Sequence, residues 1–222
     1  MSDQADKTSD CCMRRTRHAA GTDPAKRDQI LDGAYRVFFD KGFDATSMND
    51  VCKTAGVSKG TIYVYFADKT DLFEALVGRE RDRLFTGLDA LLESDRPLRD
   101  KLIAYGTALA TALCSERVIS AQRIVIGTIE KLPDMVRRFY DAGAQKSHNR
   151  LRQLLEQEIA AGRLQLEDTE LASYQIIELS TAGLWRQRIF NKRPTPPSPE
   201  EIDRVVRSGV DMFLAASAPS EA

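Results

Sequence analysis

The stretch Ser47–Phe66, S-M-N-D-V-C-K-T-A-G-V-S-K-G-T-I-Y-V-Y-F, limits the fold more than any other part of the chain. Ser47 can cap a helix, and Asp50 stands three residues on, the spacing of a capping box. Met48, Val51 and Cys52 then share one helical face, with Lys53 and Thr54 on the other. Ala55-Gly56-Val57 supplies a tight bend, since Gly takes positive φ at little steric cost. Ser58 can cap a second helix in which Ile62 and Phe66, four apart, face inward. Lys59, Thr61, Tyr63 and Tyr65 are left facing out, so the stretch predicts a helix-turn-helix.

The outward set suits duplex DNA. Lys59 can meet a phosphate or a guanine edge, and Thr61 a phosphate or a thymine methyl. The tyrosine hydroxyls can reach phosphate oxygens, and Gly60 lets the backbone come close. A helix start also offers unpaired N–H groups, here beside Ser58. Thr46 or Ser47 opens the preceding helix and can donate to a phosphate, and Lys69 stands ready at the start of the next one. An ordinary helical hairpin with a solvated polar face is the competing reading.

Lys41-Gly42-Phe43-Asp44-Ala45-Thr46-Ser47, Ala55-Gly56-Val57-Ser58-Lys59-Gly60-Thr61-Ile62-Tyr63, then Tyr65-Phe66 and Lys69 together resemble the N-terminal domain of TetR/AcrR-family transcriptional regulators over about Pro24–Leu84. The sequence departs from the commonest pattern at Cys52, where Ala is usual, and at Val64, where a polar residue is common. The resemblance implies an all-α homodimer that represses transcription and leaves a near-palindromic operator when a small molecule binds. Val118–Tyr140, with E-K-L-P-D-M-V-R-R-F-Y, resembles the ligand-domain half of the AefR-like branch, which implies a cavity among the middle helices.

Composition bounds the rest. The chain has 222 residues, 42 % of them hydrophobic, enough for a small head and a larger body. Net charge is only −1, yet Arg14–Phe66 holds nine Lys/Arg against six Asp. The basic excess is thus local to the end expected to meet phosphate. No run approaches the ~18 apolar residues of a membrane helix, and no secretory signal stands at the N-terminus. Cys11, Cys12, Cys52 and Cys114 make no zinc spacing, so reduced thiols and a cytoplasmic setting are expected, with no metal or cofactor and no membrane partner.

The expected organisation is a basic arm (1–23), a three-helix DNA-binding head (24–84) and a helical bundle for ligand and dimer contacts (85–222). In the arm, Arg14, Arg15 and Arg17 can enter a minor groove or remain a solvated charge cluster. Asp23-Pro24 starts the first helix, whose stripe is Ile30, Ala34, Val37 and Phe38, and Lys41-Gly42 ends it. The periodicity predicts one helix from Asp68 to about Glu93, then helices over Leu98–Cys114, Val118–Lys131, Met135–Ala161, Thr169–Phe190 and Glu200–Ala216. Asn191–Pro199, with four Pro, must be a loop. The last two helices look apolar on more than one face and are the candidates for a two-fold four-helix interface.

Pocket candidates are Tyr105, Arg123, Glu130, Tyr140, His148 and Trp185, since small-molecule cavities are mostly apolar with a few polar anchors. Each has a plainer reading: core aromatics, a surface or interhelical Arg123–Glu130 charge pair, and a surface His148–Asn149 pair. No phosphate loop, HExxH or nucleophile–base spacing occurs, and Ser147 and His148 are adjacent and point apart on a helix, so catalysis is not expected. Two further classes stand beside the ligand-responsive regulator. One is an effector-independent structural DNA-binding protein, and the other a helical carrier or enzyme with a vestigial head.

Overall fold

The computed structural model describes residues 21–219, and every regular element among them is helical. Helix α1 (Pro24–Ala45) begins where Asp23 accepts the Ala25 and Lys26 N–H groups at 3.0 and 3.3 Å, with Pro24 at the first helical position. Its buried stripe is Ile30, Leu31, Ala34, Val37 and Phe38. Gly42 (φ 75°, ψ 177°) interrupts the helix in a conformation essentially reserved for Gly. Helices α2 (Met48–Ala55), α3 (Lys59–Tyr65) and α4 (Lys69–Phe85) complete the head. The single helix expected to reach Glu93 breaks instead at Gly87 (φ 87°), and a separate α5 follows (Leu88–Glu93).

The body holds α6 (Leu98–Leu113), α7 (Glu116–Gly127), α8 (Pro133–Tyr140), α9 (Lys146–Ala160), α10 (Thr169–Ser180), α11 (Trp185–Ile189) and α12 (Pro199–Ala216). A π-helical turn, Asp141–Gln145, joins α8 to α9, so the long helix read from Met135 onward carries a bulge. Its Gly143 leaves room for α4, because a Cβ there would stand 3.1 Å from both Arg81 Cδ and Phe85 Cε2. The helix expected over Thr169–Phe190 is likewise split, at Thr181–Leu184, where Gly183 has φ 72°.

Two hydrophobic cores result. The first gathers Ile30, Phe38, Val51, Ile62, Phe66, Leu72 and Phe73 from the head, and it also takes Val125 of α7 and Met135 of α8. The second runs from Leu88 and Leu102 through Leu151 and Leu155 to Val206 and Phe213. Helices α7 and α8 therefore belong by sequence to the body but pack into the head, which rules out a simple tether between the two.

Charges reinforce that junction. Glu80 of α4, only 8 % exposed, accepts from Arg117 of α7 at 2.7 Å and lies 3.3 Å from both Arg79 and Arg83. Arg79 continues to Asp28 (3.3 Å) and Asp32 (2.8 Å) on α1, and the Arg117 guanidinium lies 4.3 Å from the centre of the Tyr35 ring. Lys131 pairs with Asp44, and Arg138 with Glu74 at 2.6 Å. The last two are solvent-exposed and worth at most ~1 kcal/mol each. Glu80 matters more, since removing a partner would strand a buried carboxylate.

At the far end of the body, Arg188 is 1 % exposed, the largest fully buried side chain among the described residues. It donates to the Cys114 carbonyl (3.0 Å), the Arg193 carbonyl (3.0 Å), the Pro194 carbonyl and Glu116 (2.7 Å). One guanidinium thus pins the Pro-rich loop to the α6–α7 corner, satisfying carbonyls that the prolines leave without helical partners.

Candidate nucleic-acid interface

The reading pair is built from caps. Ser47 Oγ accepts the Asp50 N–H at 3.2 Å, while Asp50 accepts from the Ser47 N–H (3.1 Å) and O–H (2.7 Å). These bonds, and Lys41 at 3.2 Å, hold the Asp50 carboxyl down to about 2. Met48, Val51, Cys52 and Ala55 form the buried face of α2. Gly56 (φ 65°, ψ 39°) ends the helix with its N–H on Lys53 O, and the Val57 N–H returns to Cys52 O at 3.1 Å, a Schellman closure. Ser58 then caps α3, accepting the Thr61 N–H at 3.0 Å.

What fixes α2 against α1 was not read from the sequence. Gly33 lies where a Cβ would stand 2.5 Å from Ala55 Cβ and 2.8 Å from its Cα, so the two helices touch backbone to side chain. Gln29 Nε2 donates to Ala55 O at 2.7 Å, reaching the carbonyl at the bend. A Gly inside the buried stripe of α1, at a propensity cost of ~1 kcal/mol, was the available signal.

With Ile62 fully buried and Phe66 2 % exposed, α3 is anchored on one side. The other side presents Ser58, Lys59 and Gly60, all exposed, with Tyr63 at 47 % and Val64 at 52 %. Among the described residues nothing ties down the Lys59 ammonium or the Tyr63 hydroxyl. The Thr61 hydroxyl is half-buried and 2.8 Å from Ser58 Oγ. Gly21 packs against α3, since a Cβ on it would lie 3.1 Å from Val64 O. Arg14, Arg15 and Arg17, together with Cys11 and Cys12, lie outside the described residues.

Three candidates are placed differently from the sequence reading. Thr46 is 3 % exposed, and its hydroxyl donates inward to Gly42 O at 2.6 Å, bridging the break in α1. Lys69 donates to the carbonyls of Phe43 (2.9 Å) and Asp44 (3.2 Å) and sits 4.4 Å from the Phe43 ring centre. Gly42 frees those carbonyls from helical bonding, and an ammonium is the strongest available donor for them. Tyr65 is half-buried against the head core, 6.4 Å from the Phe66 ring, and does not face fully outward.

The pocket candidates are not brought together. Tyr105 is buried and hydrogen-bonded to Ser147 Oγ at 2.5 Å, and burial pushes its hydroxyl up to about 12. Arg123 donates to the carbonyls of Ile189 (3.0 Å) and Arg188 (2.5 Å), closing the end of α11. Glu130 and Tyr140 are exposed. Trp185 donates to Gln122 at 2.7 Å. His148 is not a surface residue: it is 6 % exposed, 3.2 Å from Ser173 Oγ and packed at a tilt on the Tyr174 ring, centroids 3.7 Å apart. Its burial lowers its pKa. Ser147 and His148 thus serve different partners. Among the described residues no cluster of His, Cys, Asp or Glu could hold a metal, and no single helix is long and apolar enough to cross a membrane.

The comparisons agree with this geometry. Residues 30–76 match the bacterial regulatory proteins of the tetR family, and residues 100–219 match the C-terminal domain of AefR-like transcriptional repressors. The transcriptional activator FasR of Mycolicibacterium smegmatis is 35 % identical over 79 residues, 36 % of each chain. The repressor BepR of Brucella suis is 38 % identical over 69 residues, 31 % of this chain and 32 % of its own. Each match therefore spans about a third of these curated relatives. Among solved structures, the flavonoid-responsive regulator FrrA is 28 % identical with a TM-score of 0.72, covering 89 % of this chain and 99 % of its own. A TetR family regulator from Pseudomonas syringae pv. tomato, 24 % identical with a TM-score of 0.69 over 90 % and 100 %, shares the fold. A capped helix-turn-helix braced by α1 and α4, a helical body and two family matches that together span most of the chain place this protein in the TetR family of bacterial transcriptional regulators, with an AefR-like C-terminal domain.

Proposed function

We propose that this regulator acts as a homodimer, binds a near-palindromic operator through α3, and leaves it when a small molecule binds the body. The observation that carries the reading is the outward face of α3, where Lys59, Gly60 and Tyr63 stand exposed on a helix whose other side is sealed by Ile62. A side chain on an anchored helix, exposed and without an internal partner, is suited to take one from DNA. Ser47 and Ser58 add hydroxyls at the starts of α2 and α3, with Thr61 and Tyr65 at the edges of the patch. Thr46 and Lys69 support the patch from behind, and Lys69 keeps one donor for a phosphate. Arg14, Arg15 and Arg17 are basic residues shortly before the head in sequence, and such an arm next to a helix-turn-helix can add minor-groove or phosphate contacts.

One α3 reads too few base pairs for specificity, and two copies spaced one DNA turn apart (~34 Å) read two half-sites. Exposed Leu171, Phe190 and Met212, on and beside α10–α12, supply the apolar surface for the second copy. A relative named for its response to flavonoids and an AefR-like repressor domain support an effector-controlled repressor. Such a protein works in the cytoplasm, where the chromosome is, and needs no cofactor.

The test is a gel-shift titration on the DNA upstream of the protein's own gene at stated salt. Lys59→Ala and Tyr63→Phe should each weaken specific binding by ~1–3 kcal/mol with the dimer intact. Unchanged affinity for both variants would remove α3 from the interface.

A further inference from the structure

A cleft lies between α4 and α8, and none of the six pocket candidates read from the sequence lines it. It encloses about 290 Å³ and is lined by Glu74, Val77, Gly78 and Arg81 of α4 and by Met135, Arg138, Phe139 and Ala142 opposite. That is just below the ~300–1,000 Å³ range of drug-sized ligand sites and suits a small guest. We propose that it is the effector site and that it takes a small amphipathic carboxylate, with Arg138 holding the carboxylate and the apolar part lying over Gly78 against Val77, Met135 and Phe139. The proposal rests on the regulator reading for its consequence on DNA.

Three independent features support it. Gly78 sits in the interior of α4, where Gly is disfavoured, yet a Cβ on it would meet nothing within 4 Å. Packing does not ask for Gly here, and any side chain would project into open space beside the cleft. The polar lining has the right sign and is poorly committed. Arg138 is 63 % exposed and holds only Glu74 in an exposed pair at 2.6 Å, the kind of pair that contributes little and exchanges easily. Arg81 adds a second cation, its guanidinium resting on the 71 % exposed Asp82. A ligand carboxylate can replace Glu74 on Arg138, and Glu74, itself 37 % exposed, can turn to water.

The apolar lining belongs to the head. Val77 (5 % exposed) and Met135 (4 %) are members of the head core, and the cleft ends at the π-helical turn, where Gly143 abuts Arg81 and Phe85. A guest there touches α4 and α8 at once, so occupancy favours one spacing of head and body, which is the differential contact that coupling requires. π-turns recur at functional sites, and this one forms the wall nearest Ala142.

The experiment is calorimetric titration of the full-length protein with octanoate and 4-phenylbutyrate, and with octan-1-ol and octylamine as uncharged and cationic controls. The carboxylates should bind the wild type, and the controls should not. Arg138→Gln should weaken binding by roughly tenfold or more, and Gly78→Leu should abolish it. Glu74→Gln should tighten it, an opposite effect that a merely misfolded variant cannot give. No carboxylate binding to the wild type, or equal binding by wild type, Gly78→Leu and Arg138→Gln, would overturn the proposal. Operator affinity of each ligand-free protein is measured alongside. Ligand-free wild type that ignores operator DNA would strike the regulator reading, whereas DNA binding intact with no carboxylate binding would overturn the effector site alone.

Discussion

Two glycines of α1 show how one residue type carries different constraints. A Cβ on Gly42 would meet nothing within 4 Å, so Gly42→Ala meets no clash and costs only what the backbone conformation costs, about 1–3 kcal/mol. Gly33 is ordinary helix, and there the cost is steric, because Ala55 Cα is 2.8 Å from the new methyl. Gly33→Ala should cost about 1–3 kcal/mol as well, by prising α2 off α1. Urea melts will give similar losses, but amide exchange should loosen α2 only in Gly33→Ala. His148 offers a second residue-scale test. Burial lowers its pKa from the ordinary 6.5, against a smaller opposing pull from Glu170. The unfolded chain then binds the proton more readily, so this contribution is full above pH 6.5 and fades as pH falls below it. The stability gap between wild type and His148→Gln should narrow between pH 7.5 and 5.5, measured by thermal melts in matched buffers.

At the scale of elements, the caps agree with the periodicity, and this is why the head was legible. Ser47, Ser58, Asp68, Asp168 and Ser198 each accept a backbone N–H at the start of their helices. Interruptions inside long apolar runs were not legible: Gly87, Gly183 and the π-turn each fall within a repeat that continues on both sides. The repeat records which face is buried, and two shorter helices bent over one core bury the same faces. Arg188 was missed for a related reason, since an Arg in a helix reads as solvated. Arg188→Ala should lower stability by ~3 kcal/mol or more in chemical denaturation, as three carbonyls and Glu116 lose a charged donor. Arg207→Ala, breaking an exposed i,i+4 pair with Asp203, should stay within ~0.5 kcal/mol.

For the whole molecule, the decisive feature is that the head core, built mostly from α1–α4, is completed by α7 and α8. Val125 and Met135 enter it, and Glu80 ties α4 to Arg117. These contacts join the α1–α4 head to α7 and α8 directly, through both a shared core and a buried charge. Exposed Leu171, Phe190 and Met212 put apolar area on and beside α10–α12, in the C-terminal part of the chain. Met212→Arg should leave the helical content intact, give a monomer by light scattering, and reduce DNA affinity to the non-specific level.

The sequence by itself determined the all-α class, the helix-turn-helix with its caps and bend, the inward placement of Ile62 and Phe66, and the family. Those features are local: a cap, a turn and an i,i+4 face involve neighbours within about one or two turns of chain. Only the tertiary structure decided that Thr46 and Lys69 turn inward, that His148 is buried, that Arg188 sits in the interior, and that the cleft lies between α4 and α8. Each depends on a partner more than a turn or two away along the chain or on the bend of a helix, and the burial pattern along one strand of sequence is the same whichever partner covers it.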